Sequence, residues 1–165
     1  MVSSQMVIYE EEHQQLTEIC ERLVRDALAK AIFIVDKDGQ LVTATGETGG
    51  IDKTGLASLI AGATAATGSL AQMLGEDEFP VHFHEGTSKH VHVSVIGETL
   101  ILVVIFDERS SLGLVRLRVK RAHGEMSDII DNVQQKAAEG GNDEDMDLFG
   151  EITDDDIDNL FNDAF

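Results

Sequence analysis

Apolar side chains recur along this chain in two rhythms, one of three to four residues and one of short dense runs. Leu16, Ile19, Cys20, Leu23 and Ala27 keep the helical interval, so residues 4–28 are expected to form an amphipathic helix with Cys20 on its apolar face. Two β-prone runs, residues 31–36 and 41–44, flank Lys37-Asp38-Gly39-Gln40, and an Asp-Gly signal between such runs predicts a hairpin. After a loop at 46–50, a second helix is expected over about 52–74. Three further β runs follow, near 79–85, 90–96 and 100–106. The last has no alternation, which predicts a central strand covered on both faces. Leu112, Val115, Val119, Ala122, Met126, Ile129 and Val133 then mark a long third helix.

The second helix is the unusual element. Asp52 is placed to accept hydrogen bonds from the free amides of its first turn. Leu56, Leu59, Ile60, Ala63, Thr67, Leu70, Met73 and Leu74 form one stripe, expected to face the core. Ser58, Gly62, Ala65, Ser69 and Gln72 form the opposite stripe. A solvated helix face ordinarily carries Glu, Lys or Arg, whereas this one projects almost nothing. Small residues let another backbone approach closely, so the stripe is a candidate docking surface; burial inside the chain's own fold is the alternative. Residues 54–75 also run uncharged for about 33 Å as a helix, enough to cross a bilayer. They are rich in Gly, Ala, Ser and Thr, which drive insertion poorly, and no membrane insertion is expected.

Charge sharpens the picture. Twelve basic residues against 31 acidic ones give −19, which argues against a nucleic-acid binder. Residues 138–165 hold 11 Asp/Glu and no Lys or Arg, so the excess is concentrated at the end. The expected organisation is a folded domain at 1–137, a flexible acidic linker at 138–150 and a short docking helix at 151–165. In that last segment Thr153 is a fair N-cap, Asp154, Asp155 and Asp156 complement the helix dipole, and Ile157, Leu160, Phe161 and Ala164 share a face. So short a helix is marginal alone, and its apolar face needs a groove. A disordered solubilising tail is the alternative. Arg116, Arg118, Lys120 and Arg121 gather a third of the basic residues on the third helix. They are either a solvated face or a patch for an acidic partner or the chain's own tail. A single cysteine leaves no internal disulfide and fits a reducing compartment, and the first residues lack a signal-peptide pattern, so a cytoplasmic location is expected.

Candidate chemistry is sparse. The region Gly46-Glu47-Thr48-Gly49-Gly50-Ile51-Asp52-Lys53-Thr54 has glycines and a lysine but not the spacing of a phosphate-binding loop, and Asp52 before Lys53 would repel an anion. His82, His84, His90 and His92 are the most tempting set. If the loop at 85–89 sets His84 opposite His90 and His82 opposite His92, four imidazoles line one face, as a metal site or a pH-sensitive surface would require; a one-residue slip scatters them. Exposed histidines without a metal are the plainer reading. Arg109 follows the central strand and is a candidate arginine finger toward a bound GTPase, with capping or a surface ion pair as the ordinary alternative. No nucleophile–base arrangement stands out, and no catalytic, cofactor or metal residues are assigned.

The order helix, strand, strand, helix, three strands, helix resembles the Roadblock (dynein light-chain) family, close to the longin architecture. Local sequence narrows this to its MglB-like branch of bacterial gliding and polarity regulators. Tyr9-Glu10-Glu11-Glu12, Phe33-Ile34-Val35-Asp36-Lys37-Asp38-Gly39-Gln40, Leu56-Ala57-Ser58-Leu59 and Gly75-Glu76-Asp77-Glu78-Phe79-Pro80 resemble that branch. So do Phe83-His84-Glu85-Gly86, Leu102-Val103-Val104-Ile105-Phe106-Asp107, Ser111-Leu112-Gly113-Leu114-Val115-Arg116-Leu117-Arg118 and Ile152-Thr153-Asp154-Asp155-Asp156-Ile157-Asp158-Asn159-Leu160-Phe161. The histidines at 82, 90 and 92 depart from it. The resemblance implies an α+β sandwich of order αββαβββα, with a five-stranded antiparallel sheet carrying the second helix on one face and the other two on the opposite face. It also implies a homodimer joined through second helices and third strands, whose paired helices form a platform for an MglA-like, Ras-superfamily small GTPase. Such proteins accelerate GTP hydrolysis without inserting an arginine, by positioning the GTPase's own catalytic groups, in bacterial cell polarity or motility. Carried over residue by residue, the platform is Ser58, Gly62, Ala65 and Ser69, and Ile157, Leu160 and Phe161 make the terminal contact. A scaffold that binds the GTPase or a polar landmark without changing turnover, and a metal-binding regulatory domain on the histidine hairpin, are the competing readings. Location at a cell pole is part of the same expectation.

Overall fold

The apolar run at the centre of the chain decides the architecture. The computed structural model describes residues 6–150, with the main chain alone over 141–150. Its elements are α1 (Glu10–Asp26), β1 (Ala31–Asp36), β2 (Leu41–Gly46), α2 (Lys53–Met73), β3 (Val81–Glu85), β4 (His90–Ile96), β5 (Leu100–Phe106) and α3 (Leu112–Gly150). The strands form one sheet of order β2-β1-β5-β4-β3 with every neighbouring pair antiparallel. All seven residues of β5 are buried, so both faces of the sheet must be covered. Ile101, Val103 and Ile105 pack with Phe33, Val35 and Val93 under Ala57 and Ile60 of α2. Leu100, Leu102, Val104 and Phe106 pack on the other face with Ile32 and Ile34, against α1 and α3. This is the expected αββαβββα sandwich, an α+β fold.

Local chemistry sets the joins. The side chain of Asp52 accepts from the amide of Gly55 at 3.1 Å, the cap read from the sequence. In the β1–β2 turn Gly39 has a φ of +91°, and a Cβ there would stand 3.3 Å from the Ser58 Cα. The turn is therefore pressed against the first turns of α2, and glycine meets both the backbone and the space requirement.

Three boundaries differ from the periodicity. The first helix starts at Glu10, not near residue 4; residues 6–9 lie outside regular structure, and Met6 and Ile8 pack onto the α1–α3 core. Glu10, Glu11 and Glu12 fill its first turn, where negative charge complements the helix dipole. Strand β2 runs on to Gly46. The third helix continues to Gly150, across the stretch that composition reads as a linker. Among the residues whose side chains are described, Val133 is its last buried one, and the exposed Gln-Gln-Lys-Ala-Ala-Glu run after it is made of good helix formers. The terminal segment, with Ile157, Leu160, Phe161 and Ala164, lies outside the described residues.

One ion pair ties the start of α1 to the point where α3 leaves the core. Glu12 is almost completely buried, and Lys136 donates to its carboxylate and lies 3.7 Å from that of Glu11. Hydrogen bonding from Lys136 holds the Glu12 carboxyl below its usual range, against the opposing effect of burial. Cys20 is fully buried on the apolar face of α1, where burial pushes its thiol up to about 12, so it is a packing residue and not a nucleophile.

A carboxyl whose pKa is lowered by folding contributes stability above the usual carboxylate range, and loses it as pH falls through the lowered value. Lys136→Met leaves a buried carboxylate without its partner and is expected to lower the melting temperature at pH 7. The deficit should shrink as acid neutralises Glu12. Calorimetry across pH 3 to 7 checks this, and a deficit independent of pH would overturn it.

Candidate protein-docking surface on the second helix

A single helix covers one face of the sheet, and it does so with small side chains. Ala57, Ile60 and Ala71 of α2 are buried; Ala61, Thr64, Thr67 and Gly68 are half-buried. These positions recur at three and four residues and define the face that rests on the sheet. Leu59, Leu70, Met73 and Leu74 are then directed outward, at 75%, 49%, 83% and 65% exposure. Here the structure corrects the stripe drawn from the sequence. Leu56, Ile60, Ala63 and Thr67 do lie toward the core, but the large apolar residues at 59, 70, 73 and 74 do not. The helix is rotated so that alanine, threonine and glycine meet the sheet and its bulk meets solvent.

The small stripe is exposed as expected: Ser58, Gly62, Ala65, Ser69 and Gln72 are all on the surface. A Cβ added at Gly62 would meet nothing within 4 Å. Together with the outward leucines and Met73, these residues give α2 an outer face that is uncharged from Thr54 to Met73. The hydroxyl of Ser69 donates to the Ala65 carbonyl at 3.3 Å, and that of Thr67 to the Ala63 carbonyl at 2.8 Å, so both satisfy themselves on their own helix. Beside the stripe runs an open groove of about 450 Å³, lined by Lys37, Ala65, Gly68, Ser69, Gln72 and Glu98. Its walls carry charge and its floor is small, which suits a protein surface better than a small molecule.

Among the described residues, α2 is also the one helix long and apolar enough to cross a membrane, by length and composition. Its inner face is committed to the sheet through Ala57, Ile60 and Ala71. An exposed apolar face of this kind on a packed helix is a candidate for a protein contact.

At one end of the sheet β3 is an edge strand, bonded to β4 alone. Its register decides the histidines. Glu85 pairs with His90, His84 with Val91, Phe83 with His92 and His82 with Val93. This is one residue away from the register that would align four imidazoles. His82 and His84 therefore face the α2 side, while His90 and His92 face α1 and α3. The reason is Phe83, which stacks on Phe106 with centroids 6.0 Å apart and packs on the α1–α3 core. Burying that ring fixes the pairing. Burial lowers the pKa of His92, with the positive charge of Arg116 and His82 acting in the same direction. Burial and then His84 lower that of His82. Among the described residues no group of three or more His, Cys, Asp or Glu is placed to hold a metal ion.

Arg109 is engaged where it stands. Its guanidinium donates to Asp107 at 3.0 Å and to Glu47 at 3.2 and 3.4 Å, bridging the β5–α3 and β2–α2 connections. It holds the Asp107 carboxyl below the usual range. The ordinary reading of this residue, a surface ion pair, is the one realised. Reaching into a partner would break both pairs.

The family model of the Roadblock/LC7 domain matches residues 16–106. Among solved structures, Myxococcus xanthus MglB is 50% identical, with a TM-score of 0.74 over 77% of this chain and 96% of that one. The gliding protein MglB of Thermus thermophilus is 30% identical, with a TM-score of 0.73 over 79% and 99%. An MglB described as having a tetrameric arrangement is also 30% identical, with a TM-score of 0.74 over 80% and 99%. No curated protein sequence matches the chain. The domain match and the near-complete coverage of three MglB structures lead to one conclusion: this chain belongs to the Roadblock/LC7 family, in its MglB-like branch.

Proposed function

We propose that this protein is a homodimeric GTPase-activating protein and adaptor for an MglA-like small GTPase, working in the cytoplasm and at a cell pole in bacterial polarity or motility. The observation that carries this reading is the outer face of α2, uncharged from Thr54 to Met73 and presenting Leu59, Leu70, Met73 and a stripe of small residues to solvent. Covering one such large apolar side chain is worth about 2 kcal/mol, so the face gains most from a second, similar face. In a two-fold pair, Leu59 and Met73 meet their counterparts and the edge of β3 joins its equivalent. Ser58, Gly62, Ala65 and Ser69 then remain along the flank of the paired helices as the GTPase platform. Ile157, Leu160 and Phe161 supply a further contact on the GTPase.

The mechanism rests on position and not on a donated group. From Thr54 to Met73 no side chain of α2 can act as acid, base or cation, and Arg109 is held by Asp107 and Glu47. Acceleration then comes from ordering the partner's own catalytic residues against the nucleotide and water.

Adding the protein to its cognate GTPase is expected to raise the single-turnover rate of GTP hydrolysis. Binding without any increase would replace the activating role with that of a scaffold. Ala65→Arg is expected to abolish GTPase binding, measured by calorimetric titration, because a long charged side chain cannot enter a close helix contact. An unchanged affinity would remove the small stripe from the platform. Leu59→Glu combined with Met73→Glu is expected to give a folded monomer by light scattering. A dimer that survives both changes would place the twofold contact elsewhere.

A further inference from the structure

The outer face of α3 lies on the other side of the sheet from α2 and carries a second kind of patch. Leu117 is 63% exposed there, with Arg116, Lys120 and Arg121 also exposed around it. None of these three cations forms an ion pair among the described residues, in a chain of net charge −19. Gly113 and Gly124 fall on the same helical face, and a Cβ at either would meet nothing within 4 Å. The patch is an apolar knob on a flat seat, ringed by positive charge and by the aliphatic stems of the residues that bear it.

We propose that this surface receives the acidic terminal segment, residues 151–165, of a second copy of the chain. Charge complementarity selects the occupant. Residues 138–165 contain 11 acidic side chains and no basic one. Within them Ile157, Leu160 and Phe161 share a helical face flanked by Asp154, Asp155, Asp156 and Asp158. Apolar face meets Leu117, and carboxylates meet Arg116, Lys120 and Arg121, in a helix-on-helix contact that the two glycines leave room for. Geometry selects the copy. From Leu117 to Gly150 the helix runs about 50 Å. Phe161 lies 11 residues past Gly150 and reaches no more than about 40 Å back even when fully extended. A chain cannot dock its own segment on its own patch, whereas a neighbouring molecule can. This contact uses no residue of the α2 face and is the seat of the terminal segment in the absence of the GTPase, which on the function proposed above competes for Ile157, Leu160 and Phe161.

Proximity labelling on the full chain tests it. A benzophenone amino acid replaces Leu117, and isotopically light and heavy copies are mixed until they exchange. Irradiation is expected to join position 117 to residues 151–165, with light–heavy pairs prominent in the mass spectrum. Lys120→Glu with Arg121→Glu, or about 1 M salt, should cut the yield about fivefold or more, since screening then acts within about 3 Å. Cross-links confined to single chains, cross-links to any other segment, or a yield indifferent to charge and salt would each overturn the proposal.

Discussion

A strand buried on both faces cannot be covered from one side, and β5 imposes that condition on the whole chain. One side receives two helices, α1 and α3, and their joint surface is large enough for ordinary amphipathic faces with charged exteriors. The other side receives α2 alone, over Phe33, Val35, Ile101 and Val103. A lone helix sits closest to a sheet when its contact residues are small, and Ala57, Ala71 and Gly68 let it do so. The large side chains are thereby turned away from the sheet. The outward apolar face is the geometric complement of a close helix–sheet contact, and the proposed function is built on that remainder.

Much of this was legible in the residues. Element order, the hairpin about Asp38 and Gly39, the Asp52 cap and the central place of the alternation-free run all follow from local rules, and each has its cause within a few residues. The phase of α2 was not legible. Periodicity finds a stripe by assuming that large apolar residues face inward, and that assumption fails on a helix whose contact with the sheet is made by small residues. Leu59 and Met73 look like core residues to any scale that weighs hydrophobicity alone; the run of alanine and glycine at 57, 61, 68 and 71 was the available counter-signal. The histidine register was hidden for a different reason. One residue of slip is worth little in the loop, and the decision was made by Phe83 finding Phe106, a strand and two turns further along the chain.

The ionised groups that fold into pairs do so across connections. Arg109 spans from the end of β5 to the loop after β2, and Lys136 reaches from α3 to the first turn of α1. Arg22 and Glu125 likewise bridge α1 and α3. Two of the three join the pair of helices that shares one side of the sheet, and none involves α2. The exposed pairs, Arg22 with Glu125 and Arg109 with Glu47, contribute little each, whereas Lys136 compensates a buried carboxylate. Lys136 sits one turn beyond Val133, the last buried residue of α3 among those whose side chains are described.

The outward leucines and Met73 of α2 have a thermodynamic consequence beyond recognition. A face left in water withholds its burial energy until something covers it, so a chain that pairs through this face, as proposed, is least stable when isolated. Any species that binds the folded face and not the unfolded chain adds a stabilisation that grows with the logarithm of its free concentration. On the proposed dimer and GTPase contacts, thermal stability is a property of how much protein and how much partner are present, and a melting curve recorded at one dilution describes that dilution alone.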